Sequence, residues 1–198
     1  MIISQQDFQQ LINQANQEED YSVLVRKYLF HGIPFVFSDR EGDYYEFRAA
    51  IASKWDVRFH DVLILGSAKL GYSYFKKTTF SIESDIDVSI VSSDLFEKYV
   101  KAVSDLQYQI DRGKLRMTQR EMERYNLFLK YLVKGWMRPD LLPPIMNEFL
   151  NKDKWFEYFK SISYGKSQVG DYKIAAGLFK NYDYMEKYYV ESLKASKR

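Results

Sequence analysis

The stretch that decides the fold is Val62-Leu63-Ile64-Leu65-Gly66-Ser67, followed seventeen residues beyond the serine by Ser84-Asp85-Ile86-Asp87-Val88. The first motif is an apolar run of strand type that ends in a Gly-Ser turn. In the second, polar and apolar residues alternate as far as Val91, which predicts a half-buried strand. Residues i and i+2 of a strand lie on the same face, roughly 6–7 Å apart. We therefore expect Asp85 and Asp87 to project together while the apolar residues enter the core.

The neighbouring carboxylates of Asp85 and Asp87 are the candidate metal ligands of this chain. They repel each other, which costs stability unless a cation or a base lies between them. Hard oxygen ligands with no His or Cys nearby suit Mg²⁺ or Mn²⁺ better than zinc, and such a pair can hold two metals about 3.5–4 Å apart for in-line phosphoryl chemistry. A glycine after a buried strand lets a phosphate approach the backbone. If Ser67 begins a short helix, its hydroxyl and the free N–H groups can cradle nucleotide phosphates.

Three lysines in the segment between the two motifs can neutralise phosphate charge. They are Lys69, Lys76 and Lys77. Lys69 is the best placed of them, because it lies two residues past the serine.

The two linked motifs resemble the nucleotidyltransferase superfamily of DNA polymerase beta, over residues 62–91. That superfamily also includes aminoglycoside adenylyltransferases, minimal nucleotidyltransferase antitoxins and the cyclic-oligonucleotide synthases of bacterial defence. The resemblance implies a small mixed sheet with helices packed on it, a nucleoside triphosphate substrate with Mg²⁺ or Mn²⁺, and a setting in bacterial defence or toxin–antitoxin control. Carried over here, Gly66 and Ser67 take the phosphate role and Asp85 and Asp87 the metal role. We also assign Lys69 and Ser84 to binding of the nucleotide, and Asp85 and Asp87 to catalysis.

The sequence departs from the superfamily pattern in two ways. The spacing between the motifs is longer than in minimal members, which we interpret as an inserted loop from Tyr72 to Glu83. The superfamily also places a third carboxylate within a later strand, where it helps to bind a metal and can deprotonate the attacking hydroxyl. The best later strand, Tyr172 to Phe179, contains no acidic residue, and Asp171 just before it is the stand-in that we assign as the third catalytic carboxylate.

Composition narrows the class of protein. The 198 residues are 46% hydrophobic and 28% charged, which is typical of an ordered globular chain rather than a disordered one. Lys and Arg number 29 against 27 Asp and Glu, a balance that does not indicate a general nucleic-acid binder. Cysteine is absent, no apolar run reaches the length of a membrane span, and the first residues do not resemble a secretory signal. We expect a cytoplasmic protein with no membrane partner.

Strands separated by helices indicate an α/β or α+β fold. With the small mixed sheet that the resemblance implies, we predict an α+β fold in one domain, residues 1–198. Residues 1–55 are expected to form a helical N-terminal elaboration, and residues 56–198 the core with a helical insertion. Ser4 is the expected N-cap of the first helix. The predicted helices are Gln5–Asn16, Tyr21–Phe30, Asp39–Trp55, Leu95–Ile110, Thr118–Lys134, Ile145–Phe149, Trp155–Ile162 and Asp183–Ala195, with extended segments at Ile33–Phe37, His60–Leu65, Asp85–Val91 and Tyr172–Phe179.

The sequence leaves two functions open. One is an enzyme that transfers a nucleoside monophosphate from a nucleoside triphosphate to a hydroxyl of a nucleotide, a small molecule or a protein. The other is a catalytically weak or inactive subunit that acts as a sensor, antitoxin or scaffold through a protein partner, which the missing strand carboxylate favours. Nucleic acid as a partner stays open. The tyrosines of the last helix, Tyr182, Tyr184, Tyr188 and Tyr189, are interpreted as core and partner surface.

Overall fold

A four-stranded mixed sheet lies at the centre of the molecule. The computed structural model describes residues 3–142 and 152–197. The strand order is β1-β2-β4-β3, with the central pair β2 and β4 parallel and both outer pairs antiparallel. The strands are β1 (Val62–Leu65), β2 (Ile86–Val91), β3 (Trp136–Met137) and β4 (Ile174–Phe179).

Helices cover both faces of this sheet and supply the connection between its parallel strands. The expected N-cap of the first helix is present: the Ser4 hydroxyl accepts a hydrogen bond from the Asp7 N–H, and Ser92 and Thr118 cap two later helices in the same way. The helices are α1 (Gln5–Gln14), α2 (Glu18–Leu24, continuing as a π-helix over Val25–Phe30), α3 (Glu41–Trp55), α4 (Gly66–Leu70), α5 (Ser93–Asp111), α6 (Gln119–Val133), α7 (Lys152–Ser161) and α8 (Tyr182–Ser196), with short 3₁₀ turns at Phe35–Phe37, Phe59–Asp61 and Pro139–Leu141.

The predicted α+β class is confirmed, one local prediction is wrong, and one short strand was not predicted. The segment Ile33–Phe37 is not extended throughout, because Pro34 starts a 3₁₀ turn that buries Val36 and Phe37. The two-residue strand β3 was not predicted, since so short a strand shows no alternation that a pattern could detect. The helix expected at Ile145–Phe149 lies outside the described residues.

Alternation along the strands divides the core into two clusters, one on each face of the sheet. On the first face Val62 and Ile64 join Val88 and helices α3, α5, α6 and α7. On the second face Leu63 and Leu65 pack with helices α1, α2 and α8. Of the N-terminal helices, α1 and α2 are therefore part of the second core layer and α3 is part of the first.

No helix within the described ranges is both long enough and apolar enough to span a bilayer.

The N-terminal helix is held to the inserted loop by aromatic contacts. Phe8 is fully buried, with its ring centroid 5.5 Å from that of Tyr28, 6.4 Å from that of Tyr72 and 6.1 Å from that of Tyr74. Edge-to-face contacts of this kind add to the burial of the ring itself. The first helix thus supports the segment that connects the two sequence motifs.

We predict that Phe8→Ala lowers the free energy of unfolding by about 3 kcal/mol or more, because it leaves a cavity among three buried rings. Val23→Ala is the control: Val23 is 48% exposed on α2, so its truncation is expected to cost less than about 0.5 kcal/mol. Urea unfolding followed by circular dichroism measures both. A cost below about 1 kcal/mol for Phe8→Ala would show that α1 is not part of the cooperative core.

Candidate functional site

A cleft opens where the second face of the sheet changes from apolar to small and polar residues. The residues of β2 and β4 that line it on this face include Asp87, Ser89, Ala175 and Gly177. The cleft measures about 1410 Å³ in all; it reaches α8 on this face, and its lining also includes residues of α7, which packs on the first face. Small-molecule sites are commonly about 300–1,000 Å³, so this cleft is larger than most of them.

The Asp87 carboxylate lies directly over the Gly66 backbone. Antiparallel pairing sets Asp87 opposite Leu65, the residue before the turn. Gly66 has φ +65, and a Cβ atom built on it would be 2.5 Å from the Asp87 Oδ2 atom. Both the left-handed backbone and the close approach require glycine here. The two sequence motifs are thus joined in space through this contact.

The environment of Asp87 disfavours its charged form. Burial by the surrounding protein atoms, followed by the nearby Asp85 carboxylate, raises the pKa of Asp87 to about 6. Lys76 and Lys173 act in the opposite direction and are outweighed. The side chain nevertheless keeps surface exposed to water in the cleft, so a cation arriving from solvent can reach it.

Asp85 is paired with a lysine from the neighbouring strand. The Lys173 Nζ atom lies 2.9 Å from the Asp85 Oδ2 atom. The hydrogen bond to Asp85 raises the pKa of Lys173, so Lys173 stays an ammonium group. Asp85 comes just before β2 and Lys173 just before β4, where the Ile86 N–H donates to the Lys173 carbonyl oxygen over 2.8 Å. The parallel register therefore places the two charges side by side.

The β4 position next to Asp87 is occupied by Ala175. Asp171, the predicted third carboxylate, does not reach the cleft: it is exposed in a bend and does not contribute to the cleft lining. The reason is that β4 begins only at Ile174, and before it the Tyr172 carbonyl accepts from the Tyr164 N–H instead of pairing with β2. The placement of Asp171 beside the other two acids is therefore wrong.

The predicted placement of Lys69 beside the phosphates is also wrong. Its Nζ atom donates to the carbonyl oxygens of His31 and Gly32, the latter over 2.7 Å, where the chain leaves the π-helix. The residue is 7% exposed, and burial lowers its pKa to about 8. Lys69 thus holds the N-terminal segment against α4. The lysines that do line the cleft are Lys76, Lys160 and Lys173.

The structure brings the other predicted phosphate-binding residues to the cleft. Gly66 and Ser67 line it at the start of α4. Ser84 lines it as well, and its hydroxyl accepts a hydrogen bond from the Ser81 N–H over 3.0 Å. That bond closes the turn that leads into Asp85, so Ser84 shapes the approach to the acidic pair.

Tyrosines form the wall opposite the sheet, which the sequence interpretation missed. Tyr188 and Tyr189 come from α8, and Tyr74 comes from the inserted loop, where its hydroxyl lies 2.9 Å from that of Ser192. Burial raises the pKa of Tyr74 to about 12 and raises the pKa of Tyr189 well above its ordinary value, and the negative charge of Asp87 adds to both shifts. These phenols are neutral hydrogen-bonding groups near the acidic pair. Adjacent tyrosines on a helix look like core residues, so no sequence signal distinguished them.

An aromatic stack closes the cleft at β3. The Trp136 ring lies parallel to that of Phe179 at 5.5 Å and 4.4 Å from that of Tyr188, measured between centroids. It crosses β4 at Gly177, where a Cβ atom would be 2.5 Å from the Trp136 Nε1 atom. Bulk at residue 177 would therefore push the indole out of this stack.

The donor set of the cleft fits a hard divalent cation. Asp85 and Asp87 offer carboxylate oxygens, and Asp87 lacks full compensation for its charge. Mg²⁺ typically takes one or two carboxylates and completes its shell with substrate phosphates and water. Within residues 3–142 and 152–197, no three His, Cys, Asp or Glu side chains gather as metal ligands. The two carboxylates therefore suit Mg²⁺ or Mn²⁺ that shares its ligands with a bound phosphate.

Comparisons with protein-family models, with curated proteins and with solved structures give no match to this chain.

We predict that Gly66→Ala destabilises the fold more than Gly113→Ala. Both glycines have positive φ, +65 and +67, and a left-handed alanine costs roughly 1–2 kcal/mol. A Cβ at Gly113 meets no atom within 4 Å, whereas one at Gly66 meets the Asp87 carboxylate. The difference between their free energies of unfolding in urea isolates that contact. Equal losses would mean that the Asp87 side chain moves aside without cost.

We predict that Asp87→Asn stabilises the metal-free protein at pH 7.5 and that this advantage shrinks toward pH 4.5. The pKa of Asp87 is about 6 in the folded protein, whereas its ordinary value, which applies to the unfolded chain, is 3.8. The folded state thus binds more protons between these values, so the wild type loses stability as pH rises through this range. Urea unfolding at both pH values measures the effect, with Asp171→Asn as the exposed control. A pH-independent difference would contradict the prediction.

Proposed function

We propose that the chain is a metal-dependent nucleotidyltransferase, which transfers a nucleoside monophosphate from a nucleoside triphosphate to a hydroxyl acceptor. The observation that carries the proposal is the contact of the Asp87 carboxylate with Gly66 at the start of α4, beside Asp85 and in one open cleft. Paired carboxylates beside an open cleft are the arrangement that phosphoryl transfer with a divalent cation requires. The cytoplasm, which supplies both components, is the proposed location.

The start of α4 is the proposed place of the triphosphate. The N–H groups of its first turn have no partner inside the helix. The Ser67 hydroxyl lines the same space, and the ammonium groups of Lys76 and Lys173 lie along it. These groups hold the phosphates by hydrogen bonds and by opposite charge.

The reaction forms a bond between the acceptor oxygen and the α-phosphorus, breaks the bond from that phosphorus to the bridging oxygen, and releases pyrophosphate and the hydroxyl proton. A bound Mg²⁺ would supply neutralisation of the phosphate charge. Asp85 and Asp87 would hold the metal ion next to the Gly-Ser turn. The neutral tyrosines, Tyr74 among them, would shield the site from bulk water. Positioning and charge neutralisation provide most of the rate in reactions of this class.

Ala175 favours a second candidate, a protein that binds the metal–nucleotide complex with little or no turnover. The residue lies on the strand next to Asp87, where a carboxylate would complete a three-acid site, and it has only a methyl group. Such a protein would act as a sensor, antitoxin or scaffold and would signal nucleotide occupancy to a protein partner. A bacterial defence or toxin–antitoxin system is the proposed setting for either candidate.

We predict that the wild type binds nucleoside triphosphates in the presence of Mg²⁺ and that Asp85→Asn and Asp87→Asn weaken this binding at least about tenfold, since each removes a charged ligand. Isothermal titration with an ATP, GTP, CTP and UTP series measures binding, and release of labelled pyrophosphate measures transfer. Asp171→Asn is the matched control and is expected to behave as the wild type, because it lies outside the cleft.

The same assay separates the two candidates. Pyrophosphate release that both aspartate substitutions abolish supports the transferase. Metal-dependent binding without release supports the binding protein, and Ala175→Asp is then expected to introduce release. No binding of any nucleotide, with or without metal, would refute both candidates.

A further inference from the structure

The ammonium group of Lys173 lies where the two carboxylates need a counter-charge. Its Nζ atom is 2.9 Å from the Asp85 Oδ2 atom, and its charge also acts on Asp87. Without a cation, two neighbouring carboxylates repel each other. In the metal-free protein, Lys173 therefore supplies part of the neutralisation that a divalent ion would supply.

Strand register makes this lysine a fixed part of the site. Because β2 and β4 run parallel with Ile86 paired to Ile174, the residues before them meet at the same end of the sheet. The two carboxylates thus face the ammonium group of Lys173, just before β4, and the methyl group of Ala175 within β4. An arriving metal ion finds Asp85 already engaged.

The ion pair is open to solvent and can be exchanged. The Lys173 side chain is 54% exposed and that of Asp85 is 43% exposed. Exposed pairs contribute little to stability, so a stronger ligand can displace the lysine. A free divalent ion must do so while leaving the ammonium group without a partner. A metal bound to a triphosphate brings phosphate oxygens to which the displaced ammonium group can donate.

We propose that Lys173 is the resident counter-cation of the carboxylate pair: it competes with free divalent metal and turns to the phosphates when the metal arrives on a nucleoside triphosphate. Lys173 thereby selects the metal–nucleotide complex over the free ion. The phosphate part of this proposal rests on the proposed function, whereas the competition with free metal does not.

The test compares Mn²⁺ binding, followed by electron paramagnetic resonance, in the wild type and in three variants. Lys173→Met removes the charge, Lys173→Arg keeps it, and Lys166→Met removes an exposed lysine of the preceding loop that does not line the cleft. Each protein is titrated with Mn²⁺ alone and then with Mn²⁺ bound to an ATP analogue whose α–β bridging oxygen is a methylene group. Thermal melting verifies that the variants are folded.

Lys173→Met is expected to bind free Mn²⁺ roughly two- to fivefold more tightly than the wild type, the range that corresponds to release of an exposed ion pair. The same variant is expected to bind the Mn²⁺–nucleotide complex more weakly. Lys173→Arg and Lys166→Met should resemble the wild type in both titrations.

Opposite shifts in the two titrations support the proposal. Unchanged or weaker binding of free Mn²⁺ by Lys173→Met overturns the counter-cation role, and unchanged or tighter binding of the complex overturns the phosphate role. If no form binds the nucleotide complex, the proposed function fails, while the titration with free Mn²⁺ still decides whether Lys173 competes with metal.

Discussion

The contact between the Asp87 carboxylate and the Gly66 backbone is the constraint on which the rest of the site depends. Antiparallel pairing of Leu65 with Asp87 holds the turn after β1 beside the acidic end of β2, and the Asp87 carboxylate fills the space where a side chain at residue 66 would begin. It also places a carboxylate where protein atoms and a second acid disfavour its charge. Such an arrangement weakens the fold locally, which is typical of sites that bind a charged ligand. Lys173 and the tyrosine wall then define how that charge is compensated.

Much of this site was readable from the sequence because it depends on local patterns. Alternation in Ser84–Val91 placed Asp85 and Asp87 at one end of a strand, and the apolar run before Gly66 predicted the turn that faces them. The structure brings these residues to one cleft. Whether they perform the proposed chemistry stays a prediction.

What the sequence did not show depends on tertiary contacts. The direction of the Lys69 side chain is set by two carbonyl groups near residue 31, far away in the chain. The ion pair of Asp85 with Lys173 depends on the parallel register of two distant strands. The role of Tyr189 depends on how α8 lies across the sheet. No local pattern contains these relations, so propensity and spacing could not supply them.

The parallel pairing of β2 with β4 has a consequence for the order of assembly. It joins residues 86–91 to residues 174–179, so the central ladder of the sheet cannot close until most of the chain has left the ribosome. Closing so long a loop is slow, and the unpaired edge of β2 stays open to other strands in the meantime. The acidic end of β2 gains its lysine only at that late step. A nascent chain therefore carries the two sequence motifs well before it carries a finished pocket.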